Sequence, residues 1–234
     1  MELVIVARSS IEEQILDTKK ELHDLLEYPI EKLCEIIKEV GFECDLCARC
    51  CTSEFNDHVF LLDKEVTRIR KLSPDALKPA PYFDFCDNNG TFYVSGYALK
   101  TKEDGSCMFL ENGRCKIYED RPTICRLYPY MLHRERDDSG KLDWRQISGL
   151  NEHGCYHSEI SDEECSKIAT LTKDYEVSYL EHQIRFLETV SRHFKKHNMK
   201  HVQSIYDRMM RNLNKGKEVR VMVFCNGKFE EHLL

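Results

Sequence analysis

The sequence predicts an α+β fold: a small, metal-centred, cysteine-rich middle with short strands, braced by N- and C-terminal helices. Helix-capping patterns occur near both ends of the chain, and short apolar runs between turn residues fill the middle. Nine of the twelve cysteines lie between residues 44 and 155. We predict three parts: residues 1–41 with a strand and helices, residues 42–158 as the cysteine-cluster metal-binding domain, and residues 159–234 as a helical segment with a terminal strand.

Two capping-box patterns mark helix starts, Ser10 with Glu13 and Ser161 with Glu164. In such a box, each side chain satisfies a backbone N–H group that the first helical turn leaves unpaired. Gly41 and Asn198 are typical of residues that end helices. We predict helices over about residues 10–27, 29–41, 63–72, 161–198 and 201–213.

The strand-like runs are short and are separated by turn residues such as Asn88-Asn89-Gly90. A hairpin is predicted about the polar turn at residues 137–141, and the last apolar run enters the Asn226-Gly227 turn. We predict strands over about residues 3–7, 59–62, 82–85, 91–99, 130–136, 142–148 and 219–224.

The first residues carry no basic start followed by a long apolar stretch, and no run approaches the roughly 18 apolar residues of a membrane span. We therefore expect a cytoplasmic protein. Clustered cysteines in a reducing compartment are more often metal ligands or redox groups than disulfides.

The densest cysteine cluster is the stretch FECDLCARCC, with Cys44, Cys47, Cys50 and Cys51. Two-residue gaps allow a tight loop to direct several thiolates at one metal centre. The adjacent Cys50 and Cys51 do not easily chelate one tetrahedral ion. One of them therefore binds a second metal centre, packs in the core or is a redox-active thiol that binds no metal.

A looser set of cysteines follows, and it gives eight candidate ligands in all. Eight thiolates suffice for two four-cysteine centres, either zinc ions or iron–sulfur clusters. The spacing fits neither a zinc ribbon nor a bacterial ferredoxin. The candidate metal ligands are Cys44, Cys47, Cys50, Cys51, Cys107, Cys115, Cys125 and Cys155.

The order of these motifs resembles the CxxCxxCC family of zinc- or iron-chelating cysteine-cluster domains. The resemblance covers residues 42–130 and Gly154-Cys155, and it depends on the first cluster and on CMFL, GRCKIY, RP, CR and YP in residues 107–129. It implies metal chelation. Flagellin N-methylase contains a related domain, which implies a protein lysine N-methylase-like enzyme as an alternative. Ala48 departs from the pattern, because members often have glycine there.

Aromatic residues and arginines lie in the sequence around Cys107, Cys115 and Cys125, and each type has two interpretations. The aromatic residues either shield a metal site from water or simply form core. The arginines either offset thiolate charge or pair with Glu111, Glu119 and Asp120. These residues are Phe109, Tyr118, Tyr128, Tyr130, Arg114, Arg121 and Arg126.

The remaining cysteines and the histidines are weaker candidates. Cys34, Cys165 and Cys225 follow apolar periodicities and are predicted to be buried. For Cys86 the sequence does not decide between a buried and another environment. His193, His197 and His201 are spaced by four residues but lack an H-E-x-x-H pattern, so they are predicted not to bind metal. His153 and His157 flank Cys155 and are candidate substitute ligands or supporting groups.

The predicted function is a metal-binding protein with iron–sulfur, including the 4Fe-4S type, favoured over zinc, and with a redox, metal-handling or modification-supporting role. No catalytic residue stands out, so enzymatic activity is left open. We predict a protein partner or an electron donor or acceptor, rather than nucleic acid or a membrane. A further alternative is a structural zinc module whose basic surface, residues 192–220 with nine Lys/Arg and two acidic residues, binds a partner.

Overall fold

A computed structural model describes residues 10–55, 57–130, 132–136, 142–147 and 153–234, with the backbone alone for residues 132–136 and 142–147. It confirms the α+β class. The helices are α1 (Ile11–Leu26), α2 (Ile30–Val40), α3 (Asp63–Leu72), α4 (Thr123–Leu127), α5 (Asp162–His197) and α6 (Gln203–Leu213).

The strands are short in the middle of the chain and longer towards its end. The predicted strand at residues 3–7 and the predicted turn at residues 137–141 lie outside the described residues. The strands are β1 (Phe60–Leu61), β2 (Leu77–Pro79), β3 (Phe85–Cys86), β4 (Phe92–Val94), β5 (Tyr97–Leu99), β6 (Leu110–Glu111), β7 (Arg114–Cys115), β8 (Leu132–Arg136), β9 (Leu142–Ile147), β10 (Arg220–Cys225) and β11 (Lys228–Leu233).

The predicted helix ends agree with the structure because local capping determines them. Ser10 and Glu13 form the capping box of α1, with the Ser10 hydroxyl accepting from the Glu13 N–H. Gly41 ends α2 at φ 51°, and a Cβ there would lie 2.4 Å from the carbonyl oxygen of Ser158. A glycine at this position therefore both ends the helix and lets the chain after Cys155 approach it.

The strand predicted at residues 91–99 is wrong in one respect, because the run forms two strands in two sheets. β4 lies in the four-stranded sheet ordered β11-β10-β4-β3, and β5 lies in the three-stranded sheet ordered β1-β5-β2. Gly96 lies between them, and a Cβ on it would be 2.8 Å from the Phe60 ring. This close contact with a distant aromatic residue is not visible in the alternation of the run.

The C-terminal hairpin joins the middle of the chain. β10 pairs in parallel with β4 and antiparallel with β11, a strand that the sequence interpretation did not assign. The hydrogen-bonded sheet therefore crosses the predicted boundary at residue 158, and the three-part division itself stays a prediction. The predicted hairpin of β8 and β9 is confirmed as an antiparallel pair.

Separate cores support the helices and the sheets. One core joins α1, α2 and α5 through Leu25, Leu33, Ile37 and Leu180, all buried. Another includes Phe92, Val94, Val221 and other residues of both sheets, and the partly buried Cys107 and Cys115 pack against it. In the described part of the chain, no helix is long and apolar enough to cross a membrane.

Candidate metal centre

The first cysteine cluster lies in a loop that ends in a short 3-10 helix, Arg49–Cys51. Leu46 and Ala48 both have a positive φ, 58° and 61°, which folds the loop tightly. The Cys51 N–H donates to the Ala48 carbonyl at 2.9 Å, and the Cys47 N–H donates to the Asp45 carboxylate at 3.1 Å. The departure from glycine at residue 48 therefore puts an alanine in a conformation that favours glycine.

Replacing Ala48 with glycine is expected to stabilise the protein by about 0.5–1 kcal/mol, because the left-handed conformation costs about 1–2 kcal/mol and the more flexible unfolded chain offsets part of the gain. The melting temperature should rise by about 1–4 °C. Ala169→Gly is the matched control, since Ala169 lies inside α5 and its replacement should destabilise by about 0.5–1 kcal/mol. A lower melting temperature for A48G would contradict the assigned loop conformation.

The second cysteine group is attached to the first by main-chain hydrogen bonds. The Cys107 N–H donates to the Cys51 carbonyl at 2.8 Å, and Thr52 and Ser106 form an isolated antiparallel bridge. The β6–β7 hairpin then places Cys115 opposite Leu110. Segments more than fifty residues apart in the sequence therefore lie side by side.

Cys125 lies in the five-residue helix α4, and α3 holds the start of that helix. The buried Glu65 accepts from the Thr123 N–H at 2.6 Å and from the Leu62 N–H at 3.0 Å. The Arg68 guanidinium donates to the Arg121 carbonyl at 3.1 Å. The sequence interpretation missed Glu65. A glutamate three residues after Leu62 is typical of a helix start. This spacing does not predict that the same carboxylate also accepts from the Thr123 N–H.

Six of the eight candidate ligands line one cavity of about 430 Å³: Cys44, Cys50, Cys51, Cys107, Cys115 and Cys125. Cys47 and Cys155 do not line it. Cys155 lies next to the first cluster instead, because two main-chain hydrogen bonds of 2.8 and 3.0 Å join it to Glu43. The assignment of all eight cysteines as metal ligands stays a prediction.

The thiols in this cavity have altered pKa values. Burial is the largest cause of the raised pKa of Cys107, Cys115 and Cys125, and the nearby Cys51 thiol raises each of them further. A hydrogen bond between the adjacent thiols lowers the pKa of Cys50 and raises that of Cys51. Metal binding at the buried thiols must therefore displace protons.

Two of the three candidate arginines face the cavity. Arg114 and Arg121 line it, and the Arg121 guanidinium lies 3.6 Å from the centre of the Tyr118 ring. Arg126 instead donates to the main-chain carbonyls of Arg121 and Glu119. The predicted pairing with Glu111 is made by Lys116. The described cavity wall contains no aspartate or glutamate, and the Arg121 charge opposes the rise in the pKa values of Cys51 and Cys115.

The aromatic residues divide in the same way. Phe109, Tyr118 and Tyr128 line the cavity, and Phe109 and Tyr128 are buried. Tyr130 does not line it, and its hydroxyl accepts from the Phe42 N–H at 3.0 Å. The sequence interpretation did not include His58 and Lys100 in the lining. His58 precedes β1 and Lys100 follows β5, and these two strands pair with each other.

The four cysteines outside the cluster are free, and Cys86, Cys165 and Cys225 are buried. Burial is thus confirmed for Cys165 and Cys225, whereas Cys34 is only partly buried and its carbonyl accepts from the Cys165 thiol at 3.1 Å. Burial also raises the pKa of the Cys86 thiol to about 12. These environments suit inert thiols.

The histidines make polar contacts with protein groups. His193 lies 3.3 Å from the Tyr93 hydroxyl, and the Cys86 N–H donates to His201 at 3.0 Å. His153 lies 3.3 Å from the Tyr128 hydroxyl, and His157 lies 3.2 Å from the Glu39 carbonyl. Among the described residues, no three His, Cys, Asp or Glu side chains converge closely enough to hold a single metal ion.

The basic segment is partly neutralised by neighbouring acids. Lys195 pairs with Glu12 at 2.9 Å, and Arg220 pairs with Glu231 at 3.0 Å. Both pairs are exposed and contribute little to stability. Binding of a partner by residues 192–220 stays a prediction.

The fold and the site define a cysteine-rich α+β domain suited to metal binding. Residues 43–149 match the model of the CxxCxxCC family, described as "Putative zinc- or iron-chelating domain". This match confirms the predicted resemblance to that family over residues 43–149, and it supports metal binding by this segment. Comparison with curated proteins and with solved structures gives no match.

Proposed function

We propose that this protein is a cytoplasmic iron–sulfur protein whose cysteine-lined cavity holds a cluster of iron and sulfide for electron transfer or for support of a modification reaction. The observation that carries the proposal is the convergence of six thiols, from two distant motifs, on one cavity. Thiolates are the ligands that iron–sulfur clusters use, and no other side chain type recurs so often in this wall.

The number of thiols on one cavity favours a cluster over a single zinc ion. Four thiolates on zinc lie about 2.3 Å from the ion and therefore touch one another. A single zinc ion takes four such ligands, whereas six thiols line this cavity. A cluster separates its ligands, because each thiolate binds a different iron.

The wall also suits a cluster electrostatically. Arg114, Arg121 and Lys100 line the cavity without a neighbouring carboxylate in its described wall, and Phe109 and Tyr128 limit access of water. Nearby cationic groups and apolar rings adjust the reduction potential of an iron–sulfur cluster. When bound, the cluster would supply reversible one-electron chemistry.

We expect protein purified without oxygen to be brown, with broad visible absorption and equal amounts of iron and acid-labile sulfide per chain. The measurement is an optical spectrum together with quantification of iron, sulfide and zinc. Dithionite should bleach the absorption if the cluster is redox-active. Colourless protein with stoichiometric zinc would contradict the proposal and would favour the structural zinc module.

A further inference from the structure

The adjacent cysteines Cys50 and Cys51 lie in a 3-10 helix, where consecutive side chains diverge by about 120°. Two neighbouring thiols therefore need not serve the same metal. Their hydrogen bond shows that the two sulfur atoms nonetheless lie close together. The question is which other thiols each of them faces.

The surroundings of Cys51 are the cysteines of the second motif. Its carbonyl accepts from the Cys107 N–H at 2.8 Å, and the chain then turns so that the Leu110 N–H donates to the Cys107 carbonyl at 2.9 Å. Leu110 in turn pairs with Cys115. Cys125 completes this group on α4, and all four cysteines line the cavity and are partly buried.

Cys50 follows the exposed cysteines of the first motif along the chain. Cys44 and Cys47 precede it in the same loop, and the two Glu43–Cys155 hydrogen bonds bring Cys155 to the start of that loop. Cys44, Cys47 and Cys155 are exposed, whereas Cys50 is partly buried. Cys50 and Cys125 both line the cavity, so Cys50 is a thiol at which the two groups meet.

We propose that two metal centres meet at the Cys50–Cys51 peptide and differ in their access to solvent. The inner centre is held by Cys51, Cys107, Cys115 and Cys125. The outer centre is held by Cys44, Cys47, Cys50 and Cys155. This inference rests on the proposed function for the identity of the metal, but not for the division of the ligands.

The difference in exposure has a chemical consequence. Three of the four outer cysteines are exposed to solvent, whereas all four inner cysteines are partly buried. The outer centre should therefore lose its metal first and should be the point at which electrons enter or leave. One peptide separates the two centres, so electrons pass between them over a short path.

The test uses metal release from the untreated full chain and metal content in single variants. Wild-type protein exposed to the ferrous chelator bathophenanthroline should release iron in two phases of equal amplitude. Cys51→Ser and Cys47→Ser should each retain about half of the metal, and Cys47→Ser should lack the fast phase. Cys34→Ser is the matched control, because Cys34 lies in the helical core, and it should retain all of the metal.

A single release phase in the wild-type protein would overturn the division, whether or not a variant folds. Loss of all metal in both variants that fold would also overturn it. The proposed function fails separately, if the chain holds zinc instead of iron and sulfide. In that case the same variants, read with a zinc chelator, still test whether two centres exist.

Discussion

Removal of the metal is expected to unfold the cysteine-rich middle of the protein and to leave its long helix intact. The strands β6 and β7 have two residues each, and α4 has five, so these elements are too short to be stable alone. Under the proposed ligand assignment, Cys107 and Cys125 bind the same centre, and its loss removes the link between their segments. Ligand binding at a thousand times its Kd contributes about 4 kcal/mol, which corresponds to a fall of about 8–16 °C in melting temperature for a chain of this size.

Hydrogen exchange read by mass spectrometry is the measurement for this prediction. Protein treated anaerobically with ferricyanide and a chelator, and then reduced, should lose protection in residues 43–55 and 101–127. Residues 162–197 are the internal control, because α5 packs against α1 and α2 through a core without the candidate ligands. Unchanged exchange in residues 101–127 would show that the metal does not hold this segment.

Replacing Glu65 with alanine is expected to cost both stability and metal. The substitution leaves the N–H groups of Leu62 and Thr123 without their acceptor, at about 1–3 kcal/mol for each donor that stays unpaired. It also releases the start of α4, which carries Cys125. Glu65 is thus a positioning residue, since it acts on the candidate ligand through the helix that bears it.

The two effects are measured separately, by chemical denaturation and by metal content per folded chain well below the melting temperature. Glu65→Gln should lie between the wild type and Glu65→Ala, because the amide keeps one oxygen acceptor. Glu35→Ala is the matched control on the exposed side of α2 and should change neither quantity appreciably. Full metal content in folded Glu65→Ala protein would show that Glu65 supports the fold alone.

The helices were largely predictable because their limits depend on residues close in sequence. Ser10, Glu13, Gly41 and Ser161 satisfy or end backbone hydrogen bonding within three or four positions of themselves. The strands were predicted less well. The break at Gly96 depends on Phe60, and the pairing of β11 depends on a hairpin at the end of the chain.

The candidate site was predictable in its residue types but not in its arrangement. The sequence gives no reason to prefer Arg121 over Arg126, or Tyr128 over Tyr130. The structure places the first of each pair at the cavity and the second against other groups. Glu65 was not recognisable because its contact with Thr123 joins residues 58 positions apart.

By itself, the sequence determined the helical limits, the family resemblance and the supply of thiols, because each depends on residue type and spacing along the chain. Only the tertiary structure decided that Cys107, Cys115 and Cys125 lie beside Cys51, while Cys155 lies beside Glu43. The physical reason is that β pairing and helix packing join segments tens of residues apart. Their hydrogen bonds leave no periodic pattern in the local sequence.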